Sequence, residues 1–124
     1  MTITKLAIVV RTNVPKSAIQ KDFLGQLSSY LAKKYKTETQ KVSTHVESAF
    51  INQHVVLEIH GDIMMIRGGQ TTPMLNMNIY HNCDMITQAT KHDDAGTIAK
   101  FVNESVSIPV DRVLVLFFDT RKCT

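Results

Sequence analysis

Residues 6–10, Leu-Ala-Ile-Val-Val, form an unbroken apolar, β-favouring run, the pattern of a strand covered on both faces. Asn13 and Pro15 break it, and Ser17 or Asp22 is placed to cap the next element. Ile19, Phe23, Leu27, Tyr30 and Leu31 then recur at helical spacing as far as Tyr35, predicting a helix with one buried face. Residues 42–46 alternate apolar and polar side chains like a half-exposed strand. After Gly68, Gly69 and Pro73 the order repeats: residues 74–80 alternate, with Leu75, Met77 and Ile79 separated by Asn76 and Asn78. A polar loop through Lys91, His92, Asp93 and Asp94 offers a cap, and Ile98, Phe101, Val102 and Val106 put an apolar stripe on a second helix. Ile108 and Pro109 stop that helix, and residues 113–118 are a second wholly apolar strand.

This order gives two βαβ units, each with a right-handed crossover. Their packing predicts an α/β fold, a four-stranded mixed sheet with two helices on one face. The apolar runs at 6–10 and 113–118 leave the other face in need of cover, so the pattern points to an oligomer. Between Glu47 and Gly68 a further signal intervenes. Residues 55–60 and 63–67 flank Gly61-Asp62 and read as a β-hairpin with a two-residue turn.

The chain has 124 residues, 44% of them hydrophobic, which suits a single globular domain over 1–124 and excludes a disordered chain. A net charge of +3 is too weak to imply nucleic acid. Lys33, Lys34 and Lys36 cluster at the end of the first helical pattern, where cations complement the helix dipole. Cys83 and Cys123 form no CxxC pair and no disulfide framework, as expected in a reducing compartment. The run at 6–10 is too short for a signal h-region and nothing approaches a membrane span, so a cytoplasmic protein without membrane insertion is expected.

Thr12-Asn13-Val14-Pro15 followed by an amphipathic helix resembles the opening of the macrophage migration inhibitory factor family of the tautomerase superfamily. The likeness continues through Phe23-Leu24, Leu27 and Leu31-Ala32 in the first helix and through residues 40–46, ending in His45-Val46, as the second strand. Gly68-Gly69 with Pro73, then Ile108, Asp111-Arg112-Val113 and Phe117-Phe118-Asp119, complete it in the family's order. The resemblance implies homotrimers whose three sheets enclose a channel, with active sites between subunits. It implies no cofactor and no metal. It also implies phenylpyruvate or dopachrome tautomerase chemistry, with cell-surface receptors or cytosolic proteins as partners and secretion without a signal peptide.

The family's base is an N-terminal proline amine nine residues before the Val-Pro proline, and counting back from Pro15 reaches Leu6. An α-amino group titrates near neutrality and suits proton transfer between carbon and oxygen; a leucine amide does not. Residues 1–5 form an extension in which Thr2 and Lys5 are weak substitutes, Thr2 standing about 13 Å away along an extended chain. By alignment, the pocket lysine falls at Thr37 with Lys36 beside it, and the pocket isoleucine near Asn82. A tyrosine and an asparagine from the neighbouring subunit fall at Leu114 and Leu116, and the rim-forming tail is short after Asp119. The chain also exceeds the family pattern by about a dozen residues near 48–60, an extra hairpin or a gene-model error.

These departures predict a degenerate tautomerase site and a protein that acts by binding. The alternative is an active keto-enol tautomerase using a processed N-terminus or a substitute base, and a third reading is a subunit that co-assembles with a catalytic paralogue. His45, His54, His60, His81 and His92 lack the spacing of a zinc site, and His81 with Cys83 reads as a packed pair. Arg67-Gly68-Gly69-Gln70 could act as an anion nest but more simply makes a turn, and no Ser-His-Asp or P-loop signature occurs.

Overall fold

The computed structural model describes residues 4–37 and 54–122. Its strands are β1 (Leu6–Thr12), β2 (Val55–His60), β3 (Leu75–His81) and β4 (Val113–Asp119), and its helices are α1 (Phe23–Lys34) and α2 (Lys91–Val106). The sheet order is β2-β1-β3-β4. β1 runs parallel to β2 and antiparallel to β3, while β3 and β4 are parallel. It is the four-stranded mixed sheet with two helices that the pattern predicts.

Burial follows the two-residue period of the strands. Leu6, Ile8 and Val10 of β1 with Leu75, Met77 and Ile79 of β3 face Phe23, Leu27 and Leu31 of α1 and Ile98 and Val102 of α2 in one cluster. Both helices therefore cover the same face. On the other face Val56, Leu114 and Leu116 are 62%, 40% and 42% exposed, and Tyr80 stacks on Phe118 at 5.0 Å between ring centres. The expectation that residues 6–10 are covered on both faces is not met within one chain: Ala7 is exposed and Val9 half-buried.

The predicted hairpin at residues 55–67 is corrected. Val55–His60 pairs in parallel with β1, from Leu6 opposite Val55 to Arg11 opposite His60, so residues 55–60 are a sheet strand and not part of an inserted hairpin. Gly61-Asp62 does not reverse the chain, because Asp62 N–H donates to Val14 O and Ile63 N–H to Thr12 O, each at 3.0 Å. A Cβ on Gly61 would stand 3.0 Å from the Lys16 backbone, so only glycine allows this approach. The tight turn lies further on, at Arg67 and Gln70, which exchange N–H···O bonds of 3.0 Å around Gly68 and Gly69, both at positive φ. The strand predicted at 42–46 lies outside the described residues, as do residues 48–53.

Thr12 and Asn13 lock β1 to the segment entering β3. Thr12 Oγ1 donates to Met74 O at 2.6 Å. Asn13 Nδ2 donates to Thr71 O and Thr72 O, and its Oδ1 accepts from Met74 N–H. Arg112 donates to Arg67 O, Gln70 O and Thr72 O at 3.1–3.3 Å, clamping the glycine turn from the start of β4.

The helix ends differ from expectation in detail. Asp22 occupies the cap position of α1 but bonds Gln26 instead of a backbone amide, and Asp93 and Asp94 sit inside the first turn of α2 after Thr90. Acids there still favour the positive end of the helix dipole. Ser107, at φ 62°, closes α2 with its N–H on Asn103 O.

Candidate functional site

β1 and β3 are antiparallel, so the start of β1 meets the end of β3, and Leu6 pairs with His81. A cleft of about 400 Å³ opens there. Its apolar floor is Ala7 of β1, Val56 of β2 and Tyr80 of β3, beside Leu6; its polar groups are Lys5, His54, Asn82 and Thr120. Leu6 is 2% exposed, and its peptide N–H donates to His54 O at 3.0 Å. Lys5 N–H donates to Asn82 Oδ1 at 2.7 Å, and Thr120 is tied by its N–H and Oγ1 to His81 O. The arrangement can hold a small apolar molecule with a hydrogen-bonding or anionic end. The nitrogen at Leu6 has no lone pair to offer as a base, because in a peptide bond that pair is delocalised into the carbonyl.

Of the residues selected by alignment, Asn82 lines this cleft and the others stand apart from it. Lys36 and Thr37 terminate α1: Lys36 is in the left-handed conformation at φ 51°, and buried Thr37 N–H reaches back to Ala32 O at 3.0 Å. That is the six-residue bond of a Schellman ending, with lysine where glycine is usual. Leu114 and Leu116 lie on β4 opposite Asn76 and Asn78, on the open sheet face. Lys5 lines the cleft, and Thr2 lies outside the described residues.

Sequence reasoning missed His54 and Tyr80 as cleft residues. His54 enters because it precedes β2, and nothing short of the β1–β2 register reveals where that residue lands. Tyr80 had a signal: alternation along β3 places it on the face opposite Met77 and Ile79.

On the helix side of the same sheet end, His81 is 3% exposed, and its Nδ1 accepts from Cys83 N–H at 3.1 Å. Burial pushes its pKa down; Asp119 opposes this, and Arg121, Lys122 and Lys91 add to it. Burial likewise pushes the Cys83 thiol up. Asp119 is gripped by Arg121 through two oxygens at 3.0 and 2.9 Å, which holds its carboxyl far below the usual range. His81 and Cys83 are thus a packed pair. Among the described residues no cluster of three metal-ligating side chains occurs, and no helix is long and apolar enough to cross a membrane.

Comparison with known proteins agrees with this architecture. No curated protein sequence matches the chain. Among solved structures, the macrophage migration inhibitory factor from Trichinella spiralis is 18% identical with a TM-score of 0.73, over 91% of this chain and 88% of that one. The macrophage migration inhibitory factor from Oncomelania hupensis is 14% identical with a TM-score of 0.76, over 95% and 77%. A homologue from Prochlorococcus marinus is 18% identical with a TM-score of 0.68, over 90% and 85%. At such identities these likenesses establish the fold. The sequence model of the family described as Macrophage migration inhibitory factor (MIF) matches residues 6–124, beginning at the strand whose end carries Thr12-Asn13-Val14-Pro15. By that match, in keeping with the sheet order and the two covering helices, this chain belongs to the macrophage migration inhibitory factor family of the tautomerase superfamily.

Proposed function

We propose that this chain is a macrophage migration inhibitory factor-like protein with a degenerate tautomerase site, acting as a homotrimer that binds other proteins, cell-surface receptors or cytosolic partners. One observation carries the reading. The position where the resemblance puts the catalytic amine is Leu6, whose buried peptide N–H is bonded to His54 O at 3.0 Å. Proton abstraction next to a carbonyl needs a base within hydrogen-bond reach, and this nitrogen is none. The exposed Val56, Leu114 and Leu116 support the trimer, since this is the apolar face that subunit contact would cover. Met64 and Ile66, 98% and 67% exposed, are further uncovered apolar side chains after β2.

The test is a tautomerase assay on purified protein whose N-terminus has been verified by mass spectrometry. Phenylpyruvate and a dopachrome ester should turn over at the background rate. Turnover far above background with an intact N-terminus would overturn the degenerate-site reading.

A second reading, an active keto-enol tautomerase with a substitute base, is favoured by the survival of the cleft with Lys5 and His54 in its wall. Histidine is the side chain most often used as a general base. On that reading, activity is present and His54→Ala or Lys5→Ala removes it.

A further inference from the structure

β3, α2 and β4 form a parallel crossover, so the ends of both strands and the first turn of α2 converge on the helix-covered side of the sheet. A polar cleft of about 240 Å³ lies at this convergence, separate in its lining from the one at Leu6. His81, Phe117 and Asp119 come from the strand ends, Thr87 from the approach to α2, Lys91 from its first turn, and Lys122 from beyond β4.

Four features set its charge. Neither Lys91 nor Lys122 makes an ion pair among the described residues. Arg121 grips the lining carboxylate, Asp119, with its fork and also reaches Asp84 at 2.6 Å, so this one guanidinium offsets one of the two carboxylate charges. Of the acids in the first turn of α2, Asp94 is committed to Tyr35 OH at 2.9 Å and to Lys34. Asp93 is exposed, and it and the one uncompensated carboxylate charge of the Asp84–Arg121–Asp119 trio oppose the two ammonium groups. The start of this 16-residue helix adds its own partial positive charge, and no side chain caps it.

The buried histidine is the independent indication of a ligand. His81 is 97% covered, and because its Nδ1 accepts the Cys83 N–H, the neutral ring carries its proton on Nε2. Among the described residues no acceptor meets that Nε2–H. Nε2 is not among the fully buried polar atoms, and an oxyanion in the cleft that His81 lines would accept from it.

We propose that this cleft binds a small phosphate-class oxyanion, free phosphate or a phosphomonoester, held by the Lys91 and Lys122 ammonium groups and by His81 Nε2–H. The site is independent of whether the cleft at Leu6 is catalytic.

The test is an NMR titration of the full-length labelled protein at constant ionic strength, following the His81 ring nitrogens and the Thr87 and Lys91 amides. Inorganic phosphate and phenyl phosphate are the two probes, with chloride as the control. Both probes should shift these signals saturably, and chloride should not. Equal affinities would identify the phosphate group alone as the ligand; tighter phenyl phosphate, using the Phe117 ring, would identify a phosphomonoester. Lys91→Gln and Lys122→Gln should each weaken binding about tenfold, since each removes a charge-assisted contact. These exposed positions leave the fold intact, so the result does not depend on a His81 variant. Non-saturating shifts, an unmoved His81 ring, or undiminished binding in the double lysine variant would overturn the proposal.

Discussion

His81 occupies the last register position of β3, where β1 offers the apolar Leu6 and the charges come from Asp119, Arg121 and Lys122 of β4 and its continuation and from Lys91 of α2. Burial is the largest influence and it favours the neutral ring. A histidine whose folded pKa is depressed holds fewer protons in the folded chain than in the unfolded one over the interval below the ordinary value of about 6.5. Its contribution to stability is therefore complete above that value and is lost as pH falls through it toward the folded pKa. The urea midpoint should drop between about pH 7.5 and about pH 5.5, and His81→Gln should flatten that drop. An equal drop in the variant would assign the acid sensitivity to other groups.

At the scale of elements, the family's motifs turn out to be joints. Thr12 and Asn13 fasten the end of β1 to residues 71–74, and Arg112 fastens the start of β4 to the turn at Gly68 and Gly69. Arg112 directs its fork at three carbonyls, and among the described residues its buried Nε meets no partner. Lysine, a single ammonium on a flexible stem, cannot span three carbonyls. Arg112→Lys should cost about 2 kcal/mol of unfolding free energy, read as a lower denaturant midpoint; an unchanged midpoint would mean the clamp adds nothing to stability. Joints of this kind explain what could be read from sequence. Strands β1 and β4 were legible from their unbroken apolar runs, β3 and both helices because each carries its own period, and Thr-Asn-Val-Pro because it contributes specific side-chain bonds. The location of β2 was not, because residues 42–46 and 55–60 both alternate and only the pairing of Leu6 with Val55 chooses a strand. The hairpin expectation failed for a related reason: Gly61-Asp62 has the composition of a turn, but the amides of Asp62 and Ile63 are taken by Val14 and Thr12. His54 reaches the cleft only through that same register, which is why the candidate site was less legible than the fold.

For the whole molecule, the open sheet face decides the state of assembly. A β-sheet with helices on one side buries its other side only by contact with something else, and here that side carries Val56, Tyr80, Leu114, Leu116 and Phe118. In the proposed trimer each sheet meets its neighbours, and β4, an edge strand with two exposed leucines, lies at the contact. Leu114 is then the most direct probe. It lies opposite Asn76, away from the core of its own chain, so an aspartate there costs the isolated subunit little. At a subunit contact the same carboxylate would be buried without a cation to pair it, which is strongly unfavourable. Sedimentation of the natural chain at micromolar concentration should give three chain masses, and Leu114→Asp should give one with unchanged far-ultraviolet circular dichroism. A natural chain that sediments as a clean monomer would refute the trimer, and a variant that remains trimeric would move the contact away from β4.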